Sequence, residues 1–373
     1  MLNPIAAPRD GLTVDEVTAL LRSPSVAVSS HLETVDPDTL APMEDVSDLL
    51  EAGSVSRDNY ATLHGSCSLT LTAPLSTNTL VRPYIVLSDR YGDTSARFNM
   101  GAYFVTSPDR PLGGESTAAN GFDRLIILND FVGDSYTVAA GTAYLTAIET
   151  ILTALGVTAS IDPAAAAKTL PSARVWPMED GLTWLHIING LLASVGYRAM
   201  WSDDYGHFTT APYVAPGARA PEWEYDTRAD DTLVGLTRSV KADTFGAPNR
   251  WIFIRDMPAE GAAEDGDGRY VVVNESTGPT SVAAVGRTIT QVTHLEAASQ
   301  ADLVVQGDAH VDASANTHNI LSMAIEPNPL HWHFDVVSYL DHADSSLLPK
   351  QAVRSWSLDL VTGLMAQTWR GVS

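Results

Sequence analysis

His331, Trp332, His333 and Asp335 could set two imidazoles and a carboxylate at alternate positions of an extended segment, on one face. Zinc is held by neutral imidazole and anionic oxygen in convergent geometry, so such a face could bind it. Asp341, His342 and Asp344 follow closely in sequence. The same period places surface polar residues on one side of a strand and buries Trp332, Phe334 and Val336 on the other. Neither HExxH nor CxxC occurs. Glycoside hydrolysis needs two carboxyl groups about 5 to 10 Å apart, one with a raised pKa. Glu222 and Glu224 flank Trp223, and Glu179-Asp180 precedes a helical pattern. With 45 acidic residues, however, chance pairs are expected everywhere. Gly65-Ser66-Cys67 would supply a nucleophile only with a histidine beside Cys67, and nothing in the spacing places His64 there. No GxSxG elbow is present, and Gly113-Gly114 lacks the lysine and helix of a phosphate loop. No catalytic, cofactor-binding or metal-binding residue is therefore assigned, and His331 and His333 are read as strand-surface residues.

The bulk composition narrows the class. The chain has 373 residues, 45% hydrophobic and 18% charged, enough for two or three domains with cores of their own. No apolar run reaches the length of a membrane span, so no membrane insertion is expected. The first thirty residues lack a basic start followed by an apolar core, so no secretory signal is expected. Cys67, the single cysteine, forbids an intrachain disulfide, and at an alternating strand position it reads as a small core residue. Net charge is −23, which excludes holding a nucleic-acid backbone by counterion release. Acidity of this size suits the lumen of a ring through which DNA slides without sticking, and it equally suits plain solubility. The eight tryptophans are spread along the chain, which fits core packing or subunit contact better than a stacking platform.

Period two dominates from Ser54 to Pro108. Cys67, Leu69 and Leu71 alternate with Ser66, Ser68 and Thr70. Ala96, Phe98, Met100, Ala102 and Phe104 mark every second position, and Tyr84 to Leu87 runs into the turn Ser88 to Asp93. Such a series of short strands between Gly, Asp, Asn and Pro predicts an antiparallel sandwich or barrel. An N-terminal arm (1–25) with a short helix at Asp15 to Arg22 leads into this first β-barrel domain (26–130). Its first strand is Val26 to Glu33, and a strand at Phe122 to Leu128 closes or leaves it.

A small α/β insertion (131–215) follows. It holds a strand at Tyr136 to Val138, a helix at Gly141 to Leu155 stopped by Gly156, and a helix at Asp180 to Val195 stopped by Gly196. Asp180 is the candidate N-cap of the second helix, and Asp203 to Gly206 signals a hairpin. A second β-barrel domain (216–373) carries strands near 233–240, 249–255, 270–274, 320–325, 332–339, 352–360 and 365–372. It also carries a helix at 295–311, weakened by Gly307, and an acidic loop at 258–268. No short-period repeat of the solenoid kind is seen. The predicted fold class is α+β, mainly β: two antiparallel β-barrels with a small α/β insertion.

Several fixed residues on these strands carry a resemblance. Gly53-Ser54-Val55, His64 to Leu69, Val81-Arg82-Pro83-Tyr84 and Ala96 to Thr106 resemble the N-terminal barrel of the tail-tip hub proteins of long-tailed actinobacterial phages. These are often labelled minor tail proteins. Val353 to Leu360 and Thr368-Trp369-Arg370 resemble that family's second barrel. The resemblance covers most of the chain and is weakest at 156–180 and 258–268. It implies a structural, non-enzymatic virion protein at the tail tip, assembled in the bacterial host cytoplasm. It implies a homotrimer, in which two barrels per subunit give a pseudo-sixfold ring matching a hexameric tail tube. Implied partners are the tail tube, distal tail and tape-measure proteins and the fibre or receptor-binding proteins, with DNA passing only transiently; no cofactor is implied. Tyr136-Thr137-Val138, Gly141-Thr142 and the helix from Tyr144 also resemble the opening of a LysM module, which binds amino-sugar polymers. The alternative reading is therefore a cell-wall glycan-binding or peptidoglycan-hydrolysing tail-associated module.

Overall fold

The computed structural model describes residues 11–23, 25–109, 116–178, 181–228, 234–241, 246–255, 268–297, 299–315, 320–342, 347 and 349–372. Glu179, Asp180, Gly113, Gly114, Asp344 and nearly all of the acidic loop 258–268 lie outside the described residues. The N-terminal helix α1 (Val14–Leu21) starts on a capping box. Thr13 Oγ1 accepts from the Glu16 backbone N–H, and the Glu16 carboxylate accepts from the Thr13 N–H. Val17 and Leu20 turn its buried face onto the main core.

The first half of the main sheet comprises β1 (Ala27–Val35), β2 (Pro42–Asp45), β3 (Leu50–Asp58), β4 (Gly65–Leu71), β5 (Leu80–Ser88), β6 (Ser95–Asn99), β7 (Tyr103–Asp109) and β8 (Thr117–Asp123). Strand β4 alternates as expected, with Cys67, Leu69 and Leu71 inward. Strand β5 is central and almost wholly buried although it contains a proline. Along one edge it pairs with β1. On the other, β7 covers Leu80 and Val81 and β6 covers Tyr84 to Ser88, so Pro83 falls where one neighbour gives way to the next. Its missing N–H leaves no gap in either ladder. The segment Phe122 to Leu128 does not continue as one strand. β8 ends at Asp123, whose Oδ1 accepts from the Leu125 N–H, and α2 (Leu125–Leu128) follows.

The insertion contains β9 (Tyr136–Val138), α3 (Tyr144–Ala154), β10 (Ala159–Ile161), β11 (Arg174–Trp176), α4 (Trp184–Ser194), β12 (Trp201–Ser202) and β13 (Phe208–Thr210). The N-cap of α4 is Thr183, whose hydroxyl accepts from the His186 N–H. The expected cap, Asp180, lies too early in sequence for a helix that begins at Trp184. Two copies of one unit build this domain, offset by 40 residues (Tyr144 to Trp184, Gly156 to Gly196). Leu145, Ile148, Ile151 and Leu152 recur as Leu185, Ile188, Leu191 and Leu192, all buried. Gly156 and Gly196 both stand at positive φ (71° and 78°) and end their helices alike, with Val157 N–H on Leu152 O and Tyr197 N–H on Leu192 O, each at 3.0 Å. Antiparallel pairing of β9 with β11 closes the domain.

The chain then returns to the main sheet through β14 (Trp223–Asp226) and β15 (Val234–Lys241). A side excursion forms a separate small sheet from β16 (Arg250–Arg255), β17 (Arg269–Val273), the single turn α5 (Val282–Val285) and β18 (Thr290–Leu295), with β16 central. Trp251, Phe253 and Leu295 point into a cluster with Leu303 of α6 (Gln300–Ala315). This helix begins later than the expected 295–311, because Gln291 to Leu295 pair as strand. Gly307 lies under that sheet: a Cβ there would stand 2.7 Å from Tyr270 Cδ1 and 2.8 Å from Phe253 Cδ2. Gly307→Ala should therefore destabilise the protein by about 1–2 kcal/mol although alanine is the better helix former. Chemical denaturation measures this, and a stabilised variant would refute the close approach.

Strands β19 (Ile320–Ile325), β20 (Val336–Leu340), β21 (Lys350–Asp359) and β22 (Met365–Gly371) complete the structure. Two separate closed barrels are not what forms. Fourteen strands make one sheet, ordered β15-β19-β22-β21-β3-β4-β8-β7-β5-β1-β2, with β6 on β5 and the pair β14-β20 on β21. The reason lies in β21, which is long enough to serve two neighbours along one edge. Its first residues pair with β20, and Ser355 to Asp359 pair with Asp58 to Ser54 of β3. Hydrogen-bonding groups that would have closed each half on itself are used to join the halves. No pairing among the described residues closes either half. Leu69, Phe98 and Ile85 from the first half and Trp356, Trp369 and Tyr339 from the second share one core.

Candidate functional site

Polar side chains from distant segments gather under the seam where the two halves, the insertion and α6 meet. Asp123, only 2% exposed, accepts from the N–H groups of Gly65 at 2.7 Å and Leu125 at 3.2 Å. Burial pushes its carboxyl up to about 6, against the pull of the nearby Arg57 guanidinium. Arg57 is itself buried. Its Nη2 donates to His333 Nδ1 at 3.3 Å, and its Cζ lies 4.5 Å from the centre of the Trp332 ring. His333 stacks on Trp201 with centroids 4.6 Å apart, and His64 lies 4.8 Å from it. Burial, with Arg57 close by, drives His64 down to about 3; burial, with His64 and Arg57 adding to it, holds His333 well below the usual range. Both rings are neutral at physiological pH. Because His333 Nδ1 accepts from Arg57, its proton sits on Nε2.

The segment His331 to Asp335 is a turn, not the expected strand. Phe334 adopts φ 54°, and Asp335 Oδ2 accepts from the Trp332 N–H at 2.7 Å, closing the turn on itself. The two imidazoles therefore diverge. His331 meets Tyr225 Oη at 2.7 Å through Nε2, with Asp335 3.6 Å from its Nδ1, whereas His333 points to Arg57. Among the described residues no group of three or more His, Cys, Asp or Glu side chains is placed to hold a metal ion. Asp341 accepts from Arg238 and Tyr339, and His342 meets Asp226 Oδ1 at 2.8 Å.

Glu222 accepts from Arg219 and from the Val336 N–H, and burial with Asp335 nearby raises its carboxyl. Glu224 is exposed. Cys67 is buried, which pushes its thiol up to about 12 and makes it a poor nucleophile. Tyr136 packs against Trp176 and edge-on to Trp184, inside the insertion.

A cavity of about 280 Å³ opens beside this network. Tyr60 and His64 line it from the first half, Arg198 and Tyr213 from the insertion, and Asp312 from α6. Arg370 donates twice to the Asp312 carboxylate, and Tyr213 donates to the same group at 3.2 Å. Sequence reasoning singled out His331, His333 and Asp335 but not Arg57, Asp123, Arg198 or Asp312. These come from unrelated elements, and only the folded chain brings them together.

No protein-family model and no curated protein matches this sequence. Solved structures do resemble it. A tail protein from Neisseria meningitidis MC58 superposes with a TM-score of 0.63 at 11% identity, covering 92% of this chain and 96% of that one. The 43 kDa tail protein of prophage MuSo2 from Shewanella oneidensis gives 0.60 at 11% identity, over 92% and 98% of the two chains. Prophage tail protein gp18 from Listeria monocytogenes EGD-e gives 0.53 at 12% identity, over 91% and 94%. Over most of its length, this chain has the fold of phage tail proteins.

Proposed function

We propose that this chain is a structural component of a phage tail tip, the hub ring that joins the tail tube to the fibres. The observation that carries the reading is the end-to-end fold likeness to three tail proteins of similar length. The two joined halves of the main sheet support it, since two β units per subunit suit a ring in which three subunits present six faces to a hexameric tube. Among the described residues β2, β14 and β15 each pair with one neighbouring strand, and their other edges could pair with further copies or partners. The partners in this reading are the tail tube, distal tail, tape-measure and fibre proteins, with DNA passing through an acidic lumen. The role is mechanical and non-enzymatic, in the virion after assembly in the host cytoplasm.

Light scattering with negative-stain imaging of the same sample tests it. The expected result is a particle of three times the 39.8 kDa chain with threefold outline and a central hole, alone or on adding the tube protein. A monomer that stays monomeric with the tube protein and cuts or binds purified peptidoglycan would instead support the cell-wall module.

A further inference from the structure

Arg198 is 8% exposed, yet no carboxylate among the described residues forms an ion pair with it; Glu222 and Asp335 favour its charge only through space, and the Tyr213 and Phe334 rings lie 5.9 and 5.7 Å from its Cζ. Its Nη2 has one long bond, to Val214 O at 3.3 Å, and its Nη1 is buried with no partner. Burial and the nearby Arg219 depress its pKa to about 10, which leaves it charged at neutral pH. A buried cation without a directly paired counter-charge is costly, and proteins normally pair it. Neighbouring arginines show the usual arrangement: Arg370 is paired with Asp312, and Arg219 with Glu222.

Arg198 lines the cavity at the seam, and two further unpartnered nitrogens belong to the same lining, His64 Nδ1 and Arg370 Nε. Asp312 is the one carboxylate among the described lining residues, already engaged by Arg370 and Tyr213, so with Arg198 and Arg370 that lining carries an excess of one positive charge inside a chain of net charge −23. Its walls are aromatic, with the rings of Tyr60, Tyr213 and Phe334. We propose that this cavity is a binding site for a monoanionic carboxylate carried on an apolar or aromatic body. A guanidinium offers a planar fork that matches a carboxylate, and the aromatic walls take the body. A phosphate dianion would bring a second charge that the lining does not meet. The volume fits a benzoate-sized group, below the usual range for drug-sized ligands.

Sodium benzoate and its neutral isostere benzamide test this on the full chain by thermal shift and isothermal titration. A second arm compares the peptide Gly-Gly-Gly-Phe with a free or an amidated C-terminus. Benzoate should bind saturably in the millimolar range or tighter, and benzamide should not. Arg198→Met should weaken binding at least tenfold while melting at or above the wild type, because it removes an unpaired buried charge. Ala199→Phe, at an exposed position on the rim, should block the mouth without touching Arg198, and it keeps the test open should R198M not fold. A response to benzoate with none to the peptide assigns the carboxylate to a small molecule. A tighter response to the free than to the amidated peptide assigns it to a protein chain end. Absence of saturable binding by either carboxylate, or equal binding in both variants, overturns the site.

Discussion

Glu33→Ala should cost about 3–5 kcal/mol of stability, the range for breaking a buried ion pair by removing one partner. Glu33 sits directly opposite Arg82 in the β1–β5 register and is 5% exposed. Its Oε1 accepts from Arg82 Nε at 2.7 Å and Nη2 at 2.6 Å, and also from Arg97 Nη2. Arg97 reaches water and lies over the Tyr84 ring, so it survives the loss. Arg82 does not: at 3% exposure it would keep, among the described residues, the Leu40 carbonyl at 3.1 Å and the Tyr205 ring 5.9 Å from its Cζ, with no counter-charge. The penalty comes from the stranded guanidinium more than from the lost bonds. The double variant Glu33→Leu with Arg82→Met should therefore recover most of the loss, since an apolar pair of similar volume needs no counter-charge. Urea denaturation of wild type, single and double variants decides it. A double variant as damaged as the single would mean that the ion pair contributes net stability of its own.

Period two made the sheet strands readable, because one buried face imposes alternation, and β4 and β6 follow it closely. The same rule misled at His331 to Asp335, where alternating aromatic and polar residues imitate a strand. There Asp335 turns back onto the Trp332 N–H, and Phe334 takes a left-handed conformation. It misled again at Phe122 to Leu128, where the Asp123 carboxylate ends the strand by capping the next turn. The union of the two halves was not readable, because pairing between β3 and β21 spans some three hundred residues and leaves no local pattern. One legible signal went unread: the spacing Gly141, Tyr144-Leu145, Ile148, Ile151-Leu152, Gly156 returns as Gly181, Trp184-Leu185, Ile188, Leu191-Leu192, Gly196. It is a doubled unit, not a solenoid, so a search for many short repeats passes over it.

Acid should act on this protein through the seam, and variants separate the groups responsible. His64 is neutral in the fold down to about pH 3, whereas in the unfolded chain it takes a proton near 6.5. Between those values the unfolded state binds more protons, so stability is full above about 6.5 and falls as pH drops, by about 1.4 kcal/mol per unit. His64→Gln removes this slope. The stability difference between wild type and variant should change by about 2 kcal/mol from pH 6.5 to 4.5, in the direction that favours the variant in acid. Asp123 works oppositely. Its folded carboxyl titrates near 6 against about 3.9 unfolded, so it favours the fold below 4 and loses that contribution as pH rises through 6. Asp123→Asn keeps one acceptor oxygen, for either the Gly65 or the Leu125 N–H but not both, so it lowers stability at every pH; by removing the titration it should also steepen the loss of stability on acidification. Denaturation curves collected from pH 7 to 4 give both slopes. Parallel lines for wild type and H64Q would show that His64 takes up its proton in the folded state, with water reaching the ring beside His333 and Arg57. Such an opening would loosen the point where the two half-sheets, the insertion and α6 meet, and acid would then act on the joint between units before it acts on their cores.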